Sequence, residues 1–149
     1  MYDVTATGEL LIDFTRNGLS EQNNRIYEAN PGGAPCTVLA MLGKLGYKTA
    51  FIGKVGDDEF GKLLKNTISE QKIDAAGLIL DPNAKTTLAF VDNDETGDRS
   101  FSFYRKPGAD MMLREDEVNY ELIDNCRIFH FGSLSMTDEP VRSATYAMI

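Results

Sequence analysis

Histidine is nearly absent from this chain, with His130 the single one. Chemistry built on a histidine cluster or a histidine-based metal site is thereby largely excluded. Cysteine is scarce as well. Cys36 and Cys126 stand far apart, without the short spacing of metal ligands. Two buried free thiols in a reducing, cytoplasmic setting are expected in preference to a disulfide. No apolar run approaches the ~18 residues that suggest a membrane span, so no membrane partner is expected. The opening MYDVTATGELLIDF has neither a basic nor a purely apolar leader, and no signal peptide is expected. Basic residues are outnumbered, 15 Lys and Arg against 23 Asp and Glu, for a net charge of -8. Most of such a surface repels a phosphate backbone, which speaks against a nucleic-acid partner. There is no internal repeat and no low-complexity linker.

What remains is a 149-residue chain with an ordinary 42% hydrophobic share, enough for one domain with its own core. YDVTATGELLIDF reads as a strand broken near Gly8. A polar turn and a short returning strand, RIYEA, follow. A helix is predicted at about 34–45, with Pro35 in its first turn and Gly46 as its stop. Val38, Met41, Leu42 and Leu45 mark its apolar face at helical spacing, widened by Leu39 and Ala40. KTAFIGKVG is a strand. DDEFGKLLKNTISEQ is a second helix capped by Asp57 or Asp58, and AAGLILD is a third strand. This β, α, β, α, β order argues an α/β domain with a mainly parallel sheet and helices on its faces.

The pattern then changes. KTTLAFVDNDETGDRSFSFYR carries two strands about a polar tip, Asp92 to Arg99, a β-hairpin too polar at its end for a core. EDEVNYELIDNC is weakly helical and RIFHFGSL is a strand, with His130 near the carboxyl end of the sheet. TDEPVRSATYAMI starts a helix, with Thr137 or Asp138 as cap and Pro140 in the first turn. It reaches Ile149 with no glycine and no basic last turn, so it reads as a helix cut short.

Two glycine-rich stretches invite a phosphate reading, and both resist it. GGAPCT is not the G-x-G-x-x-G of dinucleotide sites. GDDEFGK, Gly56 to Lys62, has a P-loop skeleton, but Leu63 stands where Ser or Thr must ligate magnesium. Asp57, Asp58 and Glu59 also stand where a triphosphate would lie. A capped helix start, with Gly61 permitting close packing, is the better account. A neutral ligand suits Gly32 and Gly33, because glycine lets backbone approach a small molecule and helix-start N–H groups can donate to hydroxyls. A sugar needs many such bonds and a cover that excludes water. The two polar hairpins, about 10–28 and 86–105, could form that β-hairpin lid.

GGAPCTVLAMLGKLGYKTAFIGKVGDDEFG resembles the N-terminal signature of the ribokinase-like sugar kinases, the phosphofructokinase-B family. GELLIDF, FSFYRKPGAD and FHFGSLSM resemble its fructokinase branch, and the likeness runs through essentially all 149 residues. The resemblance implies a Rossmann-like, three-layer α/β/α fold, present in part. It implies an enzyme that transfers the γ-phosphoryl of ATP, with Mg2+, to a primary hydroxyl of a ketohexose, fructose foremost. The substrate-binding residues it implies are Asp13, Gly32, Gly33, Thr37, Phe103 and Arg105. Four of them have a plainer alternative: a solvated carboxylate for Asp13, a simple turn for Gly32 and Gly33, a strand charge for Arg105. Tyr104 should face the other side of its strand, and His130 reads as a core or pocket-floor residue. Thr37 departs from the family's Asn, offering one hydroxyl in place of a carbonyl and an amino group. Relatives are expected to be about twice this length. Their second half carries the catalytic Asp, the anion hole, the ATP pocket and the magnesium motif. This chain is therefore expected to be inactive alone and to bind no cofactor, with no catalytic residue of its own. Self-association through the lid strands is expected. A non-catalytic sugar-binding module and a 2-keto-3-deoxygluconate kinase, with Arg105 facing the carboxylate, stand as alternatives.

Overall fold

A computed structural model describes residues 1–93 and 99–149 of the chain. The expected alternation is observed in a four-stranded, wholly parallel sheet of order β5-β4-β1-β8. It contains β1 (Tyr2–Thr7), β4 (Thr49–Gly56), β5 (Ile73–Asp81) and β8 (Cys126–Phe131). Strand β4 is buried along its whole length. Its alternating side chains feed two cores. Phe51 and Val55 pack with Leu39 and Leu64 of α1 (Ala34–Lys44) and α2 (Glu59–Glu70) on one face. Ala50 and Ile52 pack with Leu122 of α3 (Glu121–Asp124) and Val141 and Ala144 of α4 (Val141–Met148) on the other. The three-layer α/β/α arrangement follows from a strand whose two faces are both apolar.

The broken first strand is two strands belonging to different sheets. β2 (Leu11–Leu19) leaves the carboxyl end of β1 and enters a second sheet of order β3-β2-β6-β7. Strand β3 (Arg25–Gly32) returns antiparallel and runs three residues beyond the RIYEA segment. The second hairpin, β6 (Leu88–Asn93) and β7 (Arg99–Tyr104), joins it through a parallel β2–β6 pairing. Two hairpins far apart in sequence thus share one sheet. Local sequence reading sees hairpins and not their partners, because a parallel pairing has no turn to announce it.

Helix α1 corrects one expectation. Its buried residues are Pro35, Cys36 and Leu39. Val38, Met41 and Leu45, assigned to the inward face, are instead 41%, 59% and 67% exposed. The helix is apolar nearly all round, so periodicity could not choose the stripe. The choice falls to close packing beside Gly43, whose missing side chain leaves room for the Gln71 carbonyl. The cap of α4 also differs. Neither Thr137 nor Asp138 caps it with a side chain. The Glu139 carboxylate accepts from the Ser143 N–H at 3.1 Å instead. Cys36 is buried, whereas Cys126 is only half-buried, and both thiols are free.

Candidate functional site

Of the six residues singled out by sequence, Asp13, Gly32 and Phe103 lie on strands of the second sheet, Arg105 just past β7, and Gly33 and Thr37 at the start of α1. The second sheet is entered from the carboxyl end of β1, the end at which an open α/β sheet usually takes its ligand. Asp13 of β2 stands in register with Asn30 of β3 on one side and Ala89 of β6 on the other. Ala89 in turn pairs with Phe103 of β7. Residues abreast across a sheet share a face, so Asp13 and Phe103 point the same way, two strands apart. Tyr104 pairs with Leu88 and takes the opposite face, against the ring of Phe90. That face carries an aromatic cluster. Phe14 stacks on Phe90 at 5.0 Å and meets Phe60 of α2 edge-on at 5.5 Å. The cluster packs this face of the second sheet against α2, and Asp13 lies on the opposite face.

Asp13 leans over Gly32, and partial burial raises its carboxyl above the ordinary aspartate value. A side chain at Gly33 would meet the Glu9 carbonyl at 2.3 Å, and its φ of 127° favours glycine. Because Gly33 brings no capping side chain to α1, Glu9 supplies one from a distance. Its Oε1 accepts from the Ala34 N–H at 3.0 Å while the side chain is buried. Thr37 is exposed, and its hydroxyl donates back to the Gly33 carbonyl at 3.1 Å.

The residues do not all line one cavity. Phe103 and Arg105 line a cleft of about 460 Å³ with Lys106, Met111, Leu134 and Asp138. Gly32, Gly33 and Thr37 line a separate crevice of about 300 Å³ between α1 and α2, beside Cys36. Burial pushes the Cys36 thiol well up, with the Glu9 carboxylate adding to the effect. That thiol is inert at neutral pH.

Sequence reading missed the anchors beneath the second hairpin. Thr86 and Thr87 immediately precede β6 and are held by two aspartates. Asp58 accepts from the Thr86 N–H at 3.0 Å and its hydroxyl at 2.7 Å. It also accepts from the Gly61 N–H at 2.9 Å, capping α2. Burial pushes the Asp58 carboxyl up, but the bonds from Thr86 and Gly61 outweigh it and hold it below the usual value. The P-loop-like stretch is thereby explained, since a carboxylate already occupies the helix start that a phosphate would need. Asp110 is the second anchor. It is 4% exposed, accepts from the Thr87 hydroxyl, and pairs with Arg105 Nε at 2.7 Å. Arg105 is therefore an ion-paired side chain and not a solvated strand charge. Asp58 had been named as a possible cap. Asp110 gave no local signal, as its partners are five and 23 residues away.

A third network lies behind the sheet. Lys54, 3% exposed, donates to both oxygens of Glu117 at 2.7 and 2.6 Å and to the Met112 carbonyl at 3.0 Å. Asp81 lies 3.4 Å away. It ties β4 and β5 to the segment that returns from the second hairpin. His130 is half-buried on β8, opposite Ala6 of β1. Among the described residues no group of three or more His, Cys, Asp or Glu could hold a metal ion, and no helix is long and apolar enough to cross a membrane. The middle of the polar hairpin tip, residues 94–98, lies outside the described residues.

A parallel α/β/α body with a second sheet over its strand ends is the arrangement of the ribokinase-like kinases. The chain belongs to the pfkB family of carbohydrate kinases, whose model matches residues 1–149. It is 46% identical over 146 residues to probable fructokinase-5 of Arabidopsis thaliana, covering 97% of this chain and 45% of that protein. Its fold is similar to that of fructokinase with bound ATP from Xylella fastidiosa, with a TM-score of 0.90 and 34% identity. That match covers 99% of this chain and 47% of the other. It is also similar to fructokinase from Vibrio cholerae with fructose, ADP and calcium bound, with a TM-score of 0.82 and 33% identity. Coverage there is 99% and 46%. The chain spans about half the length of the curated relatives it matches.

Proposed function

We propose that these residues form the sugar-binding and lid portion of a fructokinase, which phosphorylates a primary hydroxyl of a ketohexose with ATP. The observation that carries this reading is the row Asp13–Ala89–Phe103. It sets a hydrogen-bonding carboxylate and an apolar ring on one face of the second sheet, with the carboxylate over Gly32 just before α1. Asp13 accepts from sugar hydroxyls. The N–H groups at the start of α1 and the Thr37 hydroxyl supply further polar contacts. Phe103 covers the sugar, and Arg105 donates from the base of the hairpin. Closure of the hairpin sheet excludes water from the reacting hydroxyl. Fructose and ADP in the Vibrio cholerae protein support the choice of substrate and of nucleotide.

The nucleotide and Mg2+ supply the transferable phosphoryl group and neutralise its charge. In this reading they are held, with the general base, by the half of the family's length that these residues do not match. In this reading the protein works in the cytoplasm, a setting compatible with the free thiol of Cys36. It self-associates through the second sheet. Edge strand β7 presents Phe101 and Phe103 to solvent, 52% and 53% exposed.

Calorimetric titration of the purified chain with fructose, alongside an assay for ADP, tests the reading. Saturable binding lost in Asp13→Ala, without ADP formation, is expected. Fructose-dependent ADP release from these 149 residues would overturn the assignment of catalysis to the other half. Binding unchanged in Asp13→Ala would overturn the site.

A further inference from the structure

Arg105 bears a charge that the ligand of its cleft must meet. A guanidinium facing a sugar pocket reads at first as a receptor for a sugar carboxylate. The surroundings point elsewhere. Its Nε is held at 2.7 Å by Asp110, whose side chain is 1% exposed. The other Asp110 oxygen is taken by the Thr87 hydroxyl. The site is built for this contact, since a side chain at Gly108 would meet Thr87 Oγ1 at 1.8 Å and Asp110 Oδ1 at 2.7 Å. Nε is one of five guanidinium donors, so the pairing orients the fork while leaving its terminal amino groups for the cleft. The rest of the lining adds one charge of each sign, Lys106 and Asp138. The pair and the lining thus sum to zero. A chain of net charge -8 adds no attraction for an anion.

We propose that Asp110 is a specificity-determining residue. By neutralising Arg105 from behind, it makes the cleft select an uncharged polyol over a sugar carboxylate. This rests on the reading that the cleft takes a sugar. A carboxylate bound to the Arg105 fork would face the buried Asp110 charge through one shared cation. A hydroxyl accepts the same N–H groups without that repulsion. Asp110 acts through Arg105 and is not itself in contact with the ligand.

The test uses the purified chain as wild type, Asp110→Asn, and Asp110→Asn combined with Arg105→Gln. Asparagine keeps the size of aspartate and an oxygen acceptor for Arg105 Nε–H while removing the charge. Fructose and gluconate, a neutral and an acidic six-carbon probe, are titrated while the Arg105 Nε–H resonance is followed. Wild type is expected to bind fructose at least tenfold more tightly than gluconate. Asp110→Asn is expected to tighten gluconate at least tenfold and to leave fructose within about threefold. Adding Arg105→Gln is expected to abolish that gain. Equal gluconate affinity in wild type and Asp110→Asn overturns the proposal, as does a gain that survives loss of Arg105. Should Asp110→Asn fail to fold, a wild type that prefers gluconate to fructose overturns it unaided. Fructose binding to none of the three proteins counts against the sugar reading. The gluconate comparison then still decides the role of Asp110.

Discussion

The Asp13 carboxylate occupies the space where a side chain at residue 32 would lie. A Cβ on Gly32 would come 2.2 Å from Asp13 Oδ2 and 2.9 Å from its Cγ. Gly32 therefore serves the carboxylate as much as any ligand, because it lets Asp13 fold back over the start of α1. Gly32→Ala is expected to push Asp13 off this position. The overpacking should cost about 1–3 kcal/mol in denaturant unfolding. Fructose affinity should fall by an order of magnitude or more. A variant that binds fructose as wild type does would show that the position of Asp13 is immaterial.

The raised carboxyl of Asp13 makes a pH prediction. Its shift comes from burial. Such a group contributes stability that is present below the ordinary carboxylate value of ~3.9 and is lost as pH rises through the raised one. Sugar binding runs the other way, since the ionised form accepts from hydroxyls more strongly and through both oxygens. Fructose affinity should therefore decline as pH falls through the raised value. The inflection should lie above ~4 and be absent in Asp13→Asn. An affinity that is flat between pH 4 and 7 in wild type would contradict this.

Asp58 should behave oppositely. Burial opposes its charge, but bonds from Thr86 and Gly61 hold its carboxyl low. Its contribution to stability is present above ~3.9 and lost as pH falls through the lowered value. Acid unfolding curves should lose their steepest component in Asp58→Asn. At neutral pH, Asp58→Ala removes a helix cap and should cost about 1–2 kcal/mol. Hydrogen exchange should quicken at the β6 amides, because Thr86 is released along with the helix. Faster exchange confined to α2 would show that the hairpin is anchored elsewhere.

Lys54 should be among the costliest surface-distant substitutions. Lys54→Ala removes the cation that joins Glu117 and Asp81, 20% and 13% exposed, and leaves Glu117 with only the exposed Arg114 at 3.6 Å. Loss of one partner of such a buried pair costs about 3 kcal/mol or more. Lys54→Met, which fills the volume without the charge, should recover little of this unless Glu117→Gln is added. Equal stability of Lys54→Ala and wild type by calorimetry would rule out a structural role for the network.

Thr37 offers a gain. Its exposed hydroxyl donates to the Gly33 carbonyl and keeps only its lone pairs for a ligand. Thr37→Asn restores an amide with both a donor and an acceptor, worth one added hydrogen bond and about three- to tenfold in fructose affinity. No change in affinity would place residue 37 outside the contact shell. That outcome would fit its present position on the crevice between α1 and α2.

The alternation of apolar strands and capped helices was legible in the chain. So were the Pro35 entry to α1, a cap of α2 at Asp57 or Asp58 and the rejection of a P-loop, because each rests on neighbours within a few residues. The residue types proposed for the site were legible chiefly through the family resemblance: a carboxylate after the first strand, paired glycines before a helix, and an aromatic and an arginine at a strand end. Three things were not. The inward stripe of α1 depended on which side met Gln71 across Gly43. The joining of two hairpins into one sheet depended on a parallel β2–β6 pairing spanning some 75 residues. The state of Arg105 depended on Asp110 and Thr87, which the chain brings together only when that sheet forms. Local sequence determines conformations whose hydrogen bonds close within a turn or two. Partners that meet across the fold are chosen by packing and burial, and those choices decide which charges in this site are free to meet a ligand.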